Sequence, residues 1–171
     1  MNTTSFQDVA KAEVWLLATT LIYFLLNGAQ IFETAAIVPR WSANPPESFS
    51  LISGKYGINL KAFWITFHSI HEVTFLIAIY FCWRIEPVRN WILILFAVHF
   101  AVRVWTLVYF APNIIAFQKI FSDESVAPVG LVERITLWRT LNYIRVAIFI
   151  GVSIGLIPLW YKVIHLKAML S

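Results

Sequence analysis

Residues 13–38 read EVWLLATTLIYFLLNGAQIFETAAIV. The run is long, continuous and does not alternate between polar and apolar positions, so it reads as a helix rather than a strand. Its length exceeds the roughly 20 apolar residues needed to cross a bilayer. In hydrocarbon the backbone N–H and C=O groups find no water, and only helices or closed barrels satisfy them internally. This one stretch therefore sets the fold class, and the rest of the chain repeats its pattern. Comparable runs cover about 62–83, 91–111 and 129–161. The first is expected to stop at Pro39 and the third at Pro112. The last is longer than one span, so an interfacial start or a kink before Pro158 is expected.

Composition agrees. The 171 residues are 60% hydrophobic and 13% charged, against about a quarter charged in soluble domains. The reading is a single all-α domain over 1–171, an integral membrane four-helix bundle. The net charge of +4 comes from scattered basic residues, which argues against nucleic-acid binding. One cysteine, Cys82, leaves no disulfide framework and no Cys-rich metal site. Residues 1–11 are polar and the first apolar run is too long for a signal-peptide core, so that run is expected to stay as the first membrane helix.

The connections set the topology. Residues 84–90 form a tight turn, so the second and third helices are antiparallel neighbours. The stretch 39–61, with Pro45, Pro46, Gly54 and Gly57, is expected to be an ordered loop over one face of the bundle. The stretch 112–128 is expected to be a short amphipathic interfacial helix on that same face. Both long connections lie on what is called here the loop face. The termini and the tight turn lie on the turn face, which carries Lys11, Arg84, Arg89, Lys162 and Lys167 in short segments. The loop face carries Arg40, Lys55, Lys61, Lys119 and Arg134 in longer segments mixed with Glu47, Asp123, Glu124 and Glu133. The positive-inside rule puts the turn face, with both termini, in the cytoplasm. Trp15, Trp41, Trp64, Trp83, Trp91 and Trp160 fall near span ends and read as an aromatic belt, whereas Trp105 and Trp138 sit deeper and are candidate pocket walls.

Ionisable groups inside a membrane helix cost roughly 2.5–3.5 kcal/mol each on insertion scales. This chain has Glu33, His68, His71, Glu72, His99, Arg103, Arg139 and Arg145 in its spans, with Asn27, Gln30 and Asn142 nearby. The topology gathers them in the half of the bundle nearer the loop face. Stripes at helical spacing, Asn27/Gln30/Glu33/Thr34, His68/His71/Glu72, His99/Arg103/Thr106 and Trp138/Asn142/Arg145, turn inward together. A polar cavity opening toward the loop face follows, with Glu33 and Glu72 offsetting Arg103 and Arg145.

Two chemistries suit such a set. In one, Glu33, His68, Glu72 and His99 ligate a transition metal, iron, zinc or copper, because His68 shares a face with His71 and Glu72 at i, i+3 and i, i+4. In the other no cofactor is needed. An anionic or polyphenolic substrate lies against Arg103 and Arg145, and His68, His71 or His99 acts as general base. A non-enzymatic reading remains beside them, in which the bundle binds or carries a lipid-like molecule. A homodimer is compatible with all three.

The pattern Trp138-x3-Asn142-x2-Arg145 in the last helix resembles the anthrone oxygenase-like family of small membrane proteins. Gly28, Glu33 and Pro39, and the His99/Arg103 pair, fit the same pattern. The His68-x2-His71-Glu72 cluster is richer than it. The resemblance implies a membrane oxidoreductase acting on a hydrophobic, phenolic small molecule. It implicates Trp138, Asn142 and Arg145 in the site.

Overall fold

The computed structural model describes residues 5–122 and 128–171. Four helices form the bundle: α1 Phe6–Trp41, α2 Lys61–Cys82, α3 Glu86–Ser122 and α4 Leu131–Leu170. Each is long and apolar enough to cross a membrane. There is no strand among the described residues. α1 packs against both α2 and α4, α3 packs on α4, and of these neighbouring pairs α2 and α3 touch least.

The helices run further than the apolar runs suggest. α1 starts where the Ser5 hydroxyl accepts the Asp8 backbone N–H at 3.2 Å, a side-chain N-cap that satisfies one orphan donor. It does not stop at Pro39, and α3 does not stop at Pro112. Each passes its proline through a widened π turn, Glu33–Ile37 in α1 and Thr106–Phe110 in α3. The Val38 N–H bonds the Glu33 carbonyl and the Ala111 N–H bonds the Thr106 carbonyl, one residue further back than an α-turn. A proline ring removes an N–H and clashes with the carbonyl four residues earlier. Widening the turn that ends just before each proline shifts that register and lets the helix continue. The expected amphipathic helix is therefore the end of α3, up to Ser122, not a separate element; its 123–127 portion lies outside the described residues. α3 also begins earlier than expected, at Glu86, with Pro87 in its first turn, where a missing N–H costs nothing. α4 continues beyond Tyr161 and carries Pro158 inside one helix.

The exterior is apolar, as lipid contact requires: Leu25, Phe32, Leu107 and Val108 are each more than 60% exposed. Inside, two apolar clusters stand apart. One, toward the turn face, joins Val9, Leu16, Phe75, Ile92, Phe149 and Leu156. The other, toward the loop face, joins Val38, Trp41, Phe49, Phe110, Phe117, Ile135 and Trp138. Phe49 comes from the 42–60 connection, where the short 3₁₀ turn Glu47–Leu51 drives it between Trp41 and Phe117. Gln118 donates to the Ile52 carbonyl at 2.7 Å and fastens that connection to α3. Trp41, expected in the interfacial belt, is 2% exposed and belongs to this cluster. The expected mouth on the loop face is thus filled with aromatic rings. Trp83 and Trp91 are exposed as a belt requires.

Candidate functional site

Between the two apolar clusters lies a layer of buried polar side chains from all four helices. α1 supplies Tyr23, Asn27, Gln30, Glu33 and Thr34; α2 supplies His68, His71 and Glu72; α3 supplies His99, Arg103 and Thr106; α4 supplies Asn142, Arg145 and Ser153. Helical spacing aims each set inward, because residues three, four and seven apart share a face.

A chain of four polar groups runs through the layer. The Tyr23 hydroxyl lies 2.9 Å from His99 Nδ1, and His99 Nε2 lies 3.0 Å from Glu72 Oε1. Arg103 Nε stands 3.5 Å from the same carboxylate oxygen, an ion pair rather than a hydrogen bond. The polarity of this relay follows from chemistry. An ionised carboxylate only accepts, so Nε2 carries the proton and donates to Glu72. In the neutral imidazole Nδ1 is then an acceptor, and Tyr23 O–H donates to it. His99 is 1% exposed and Tyr23 2%, while the Glu72 side chain is 26% and the Arg103 side chain 17% exposed. The relay therefore begins at the loosely packed seam between α2 and α3 and ends at the bundle centre.

A second network sits beside it. Asn142 Nδ2 donates to the Thr34 hydroxyl at 3.0 Å, and Arg145 Nη2 donates to Asn142 Oδ1 at 2.7 Å. Arg145 Nη1 approaches the Thr106 hydroxyl at 3.5 Å, and the guanidinium lies over the Phe110 ring, 4.4 Å from its centroid, a cation–π contact. Thr34 and Thr106 belong to the two π turns, so the detours that accommodate Pro39 and Pro112 also hold Asn142 and Arg145. π turns in α-helices often mark functional sites. Asn27 Nδ2 donates to the Ser153 hydroxyl at 2.8 Å.

Several polar atoms in this layer lack a partner. Both ring nitrogens of His71, His68 Nδ1, Gln30 Oε1, Asn27 Oδ1 and Arg145 Nε are covered by protein and have no hydrogen-bond partner among the described residues, and Arg103 Nε has only its ion pair with Glu72. His71 is fully buried and packed by Tyr23, His99 and Phe75, with ring centroids 4.3, 5.1 and 5.6 Å away. Leaving a buried donor or acceptor unsatisfied costs about 1–3 kcal/mol.

The expected site residues divide accordingly. His71, His99 and Arg103 gather in or against the relay, and Asn142 with Arg145 form the adjoining network. His68 faces both arginines and the other two histidines, and the Trp64 ring, expected in the belt, stacks on it at 5.2 Å. The expected metal set separates. Glu72 and His99 meet, but both His99 nitrogens are engaged, and Glu33 is turned toward Arg145 and Trp64 instead. Among the described residues no three His, Cys, Asp or Glu side chains are grouped to hold an ion. Trp138 does not wall the polar layer: its indole donates to the Phe110 carbonyl at 3.3 Å and packs on Trp41. Trp105 also packs on Phe110. Both support the ring beneath Arg145. Tyr23 is the residue that the sequence reading missed. Its signal was present, since it precedes Asn27 by four and Gln30 by seven on the same stripe.

Two grooves indent the bundle wall. One, about 360 Å³, lies between α1 and α2 and is lined by Phe24, Leu25, Gly28, Phe63 and Phe67. The other, about 390 Å³, lies between α1 and α4 and is lined by Ile31, Thr34, Pro39, Tyr143 and Val146. No family model matches this chain, and neither a curated protein nor a solved structure is similar to it at a significant level.

Proposed function

We propose that this chain is a small membrane enzyme that deprotonates a hydrophobic, enolisable phenol drawn from the bilayer and delivers the resulting anion to dioxygen. The observation that carries the reading is the Tyr23–His99–Glu72–Arg103 relay inside apolar surroundings. A phenol hydroxyl hydrogen-bonded to a carboxylate-backed imidazole is arranged to pass a proton. The substrate proton moves to the Tyr23 oxygen as the Tyr23 proton moves to His99 Nδ1. The imidazolium that forms is stabilised by Glu72, which Arg103 holds in place. An anthrone-type carbanion then adds dioxygen, takes back the proton as a hydroperoxide, and loses water to give the quinone; one dioxygen is consumed and one water released. The resemblance to anthrone oxygenases supports this substrate class. No step requires a metal.

Oxygen uptake by the purified, reconstituted chain with anthrone tests the reading. Tyr23→Phe and Glu72→Gln should each lower the rate by about 10²–10⁴-fold, the usual worth of positioned acid–base groups. Uptake equal to that of empty membranes, or full activity in both variants, discards it. Elemental analysis of the same protein tests the metal reading: stoichiometric metal lost in His68→Ala and Glu72→Ala would move the chemistry to a metal centre. A second reading, a non-catalytic binder of a lipid-like molecule, is favoured by the two apolar grooves. Anthrone that binds without consuming oxygen selects it.

A further inference from the structure

The two buried arginines are not treated alike. Arg103 has the Glu72 carboxylate against it. Among the described residues the direct partners of Arg145 are neutral: the Asn142 amide oxygen, the Thr106 hydroxyl and the face of Phe110. Among the described residues no carboxylate lies within 4.0 Å of its guanidinium. Its Nε is covered and unpaired, and its Nη1 contact is long. Glu33 is the carboxylate that faces it, from beyond contact distance and beside Trp64. A guanidinium in an apolar interior is costly unless it meets an anion. Arginine, with several fixed N–H donors, is the residue suited to carboxylate-like groups. His68 lies within electrostatic reach of both Arg145 and Arg103, and its Nδ1 has no hydrogen-bond partner among the described residues.

We infer that Arg145 is the seat of an anionic oxygen group on a hydrophobic ligand, and that Glu33 is the resident carboxylate that competes for it. Asn142 and Thr106 hold the guanidinium in place, and the π turn at Glu33–Ile37 carries the competitor. The inference rests on the proposed function for the identity of the reacting end: the substrate is an amphiphile with an ionisable hydroxyl at Tyr23 and a second anionic oxygen at Arg145. The same chemistry is offered by a free carboxylate and by an anionic lipid headgroup.

Binding read without turnover tests it. The full chain in phosphatidylcholine nanodiscs is titrated with oleate and with oleyl alcohol, which has the same chain but no charge, and bound ligand is read by native mass spectrometry. Oleate should bind at least about tenfold more tightly than the alcohol. Arg145→Gln should abolish that preference. Glu33→Gln should tighten oleate several-fold, a gain that a misfolded variant cannot produce. Binding is read without turnover, so a failure of the oxygen-uptake test and a failure here are distinguishable. Replacing part of the phosphatidylcholine with phosphatidylglycerol should displace oleate if a lipid headgroup fits the seat, and leave it bound if only the free carboxylate does. Equal affinity for oleate and oleyl alcohol in the unaltered chain overturns the inference. So does an unchanged preference in Arg145→Gln, or an oleate affinity that Glu33→Gln lowers or leaves alone.

Discussion

His71 is the buried histidine whose ring the fold leaves without a hydrogen-bond partner among the described residues. A histidine that stabilised the bundle would have its ring nitrogens paired. His71 has neither paired, although it is fully buried among rings. Replacing an unsatisfied polar ring by an apolar ring of similar shape is close to neutral or stabilising. His71→Phe is therefore expected to keep or raise Tm while lowering oxygen uptake with anthrone. Thermal unfolding in detergent checks the first half. A loss of stability of about 2 kcal/mol or more, on the scale of a lost buried partner, would give His71 a structural role and remove it from the site. Tyr23 is the converse case, an aromatic that reads as core until its hydroxyl is seen against His99.

At the scale of the element, the unusual feature is how α1 and α3 treat their prolines. Each helix spends one extra residue in a π turn just before the ring and then continues to the aromatic cluster at the loop face. This carries Trp41 and Phe117 far enough to close over Phe49, and it places Thr34 and Thr106 beside Asn142 and Arg145. The α3–α4 contact is set differently, by close approach. A Cβ built on Gly155 would stand 2.9 Å from Leu95 Cδ2. The Leu95 methyl is the end of a flexible side chain, so Gly155→Ala is expected to be tolerated. Gly155→Leu is expected to cost about 1–3 kcal/mol by overpacking, read as a fall in Tm with the helical circular dichroism preserved. A leucine variant as stable as the parent would show that α3 and α4 are not held at this distance.

For the whole molecule, the inside-out pattern of apolar exterior and polar central layer is that of a protein dissolved in lipid. Orientation is argued from charge. Lys11, Arg84, Arg89, Lys162 and Lys167 flank the turn face in short segments, for which the positive-inside rule predicts the cytoplasmic side. In a Cys82→Ala background, Ser171→Cys is expected to react with an impermeant maleimide only from the cytoplasmic side, and Tyr56→Cys, 91% exposed in the loop-face connection, only from the other. The reverse pattern would invert the topology without altering the site. Cys82 itself is buried and should stay unlabelled in intact membranes.

How much of this was legible before any coordinates follows from where each property is decided. The four spans and the inward stripes are decided locally. A long apolar run in lipid has no option but to close its own hydrogen bonds as a helix, and helical spacing then fixes which residues share a face. The helix ends were misjudged at Pro39 and Pro112 because a proline ordinarily ends a helix, and the π turn that prevents this leaves no mark in composition. The meeting of Glu72 with His99, of Tyr23 with both histidines, and the turning of Glu33 toward Arg145 depend on how four rigid rods are rotated and offset. One residue changes the direction of a side chain by about 100° and its height by about 1.5 Å, so contacts between helices lie beyond any single helix's pattern. The sequence alone determined a four-helix bundle with polar side chains in its core. The tertiary packing alone decided that Tyr23, His99, Glu72 and Arg103 line up in one chain of contacts beside Arg145, because only the docking of the helices sets those distances.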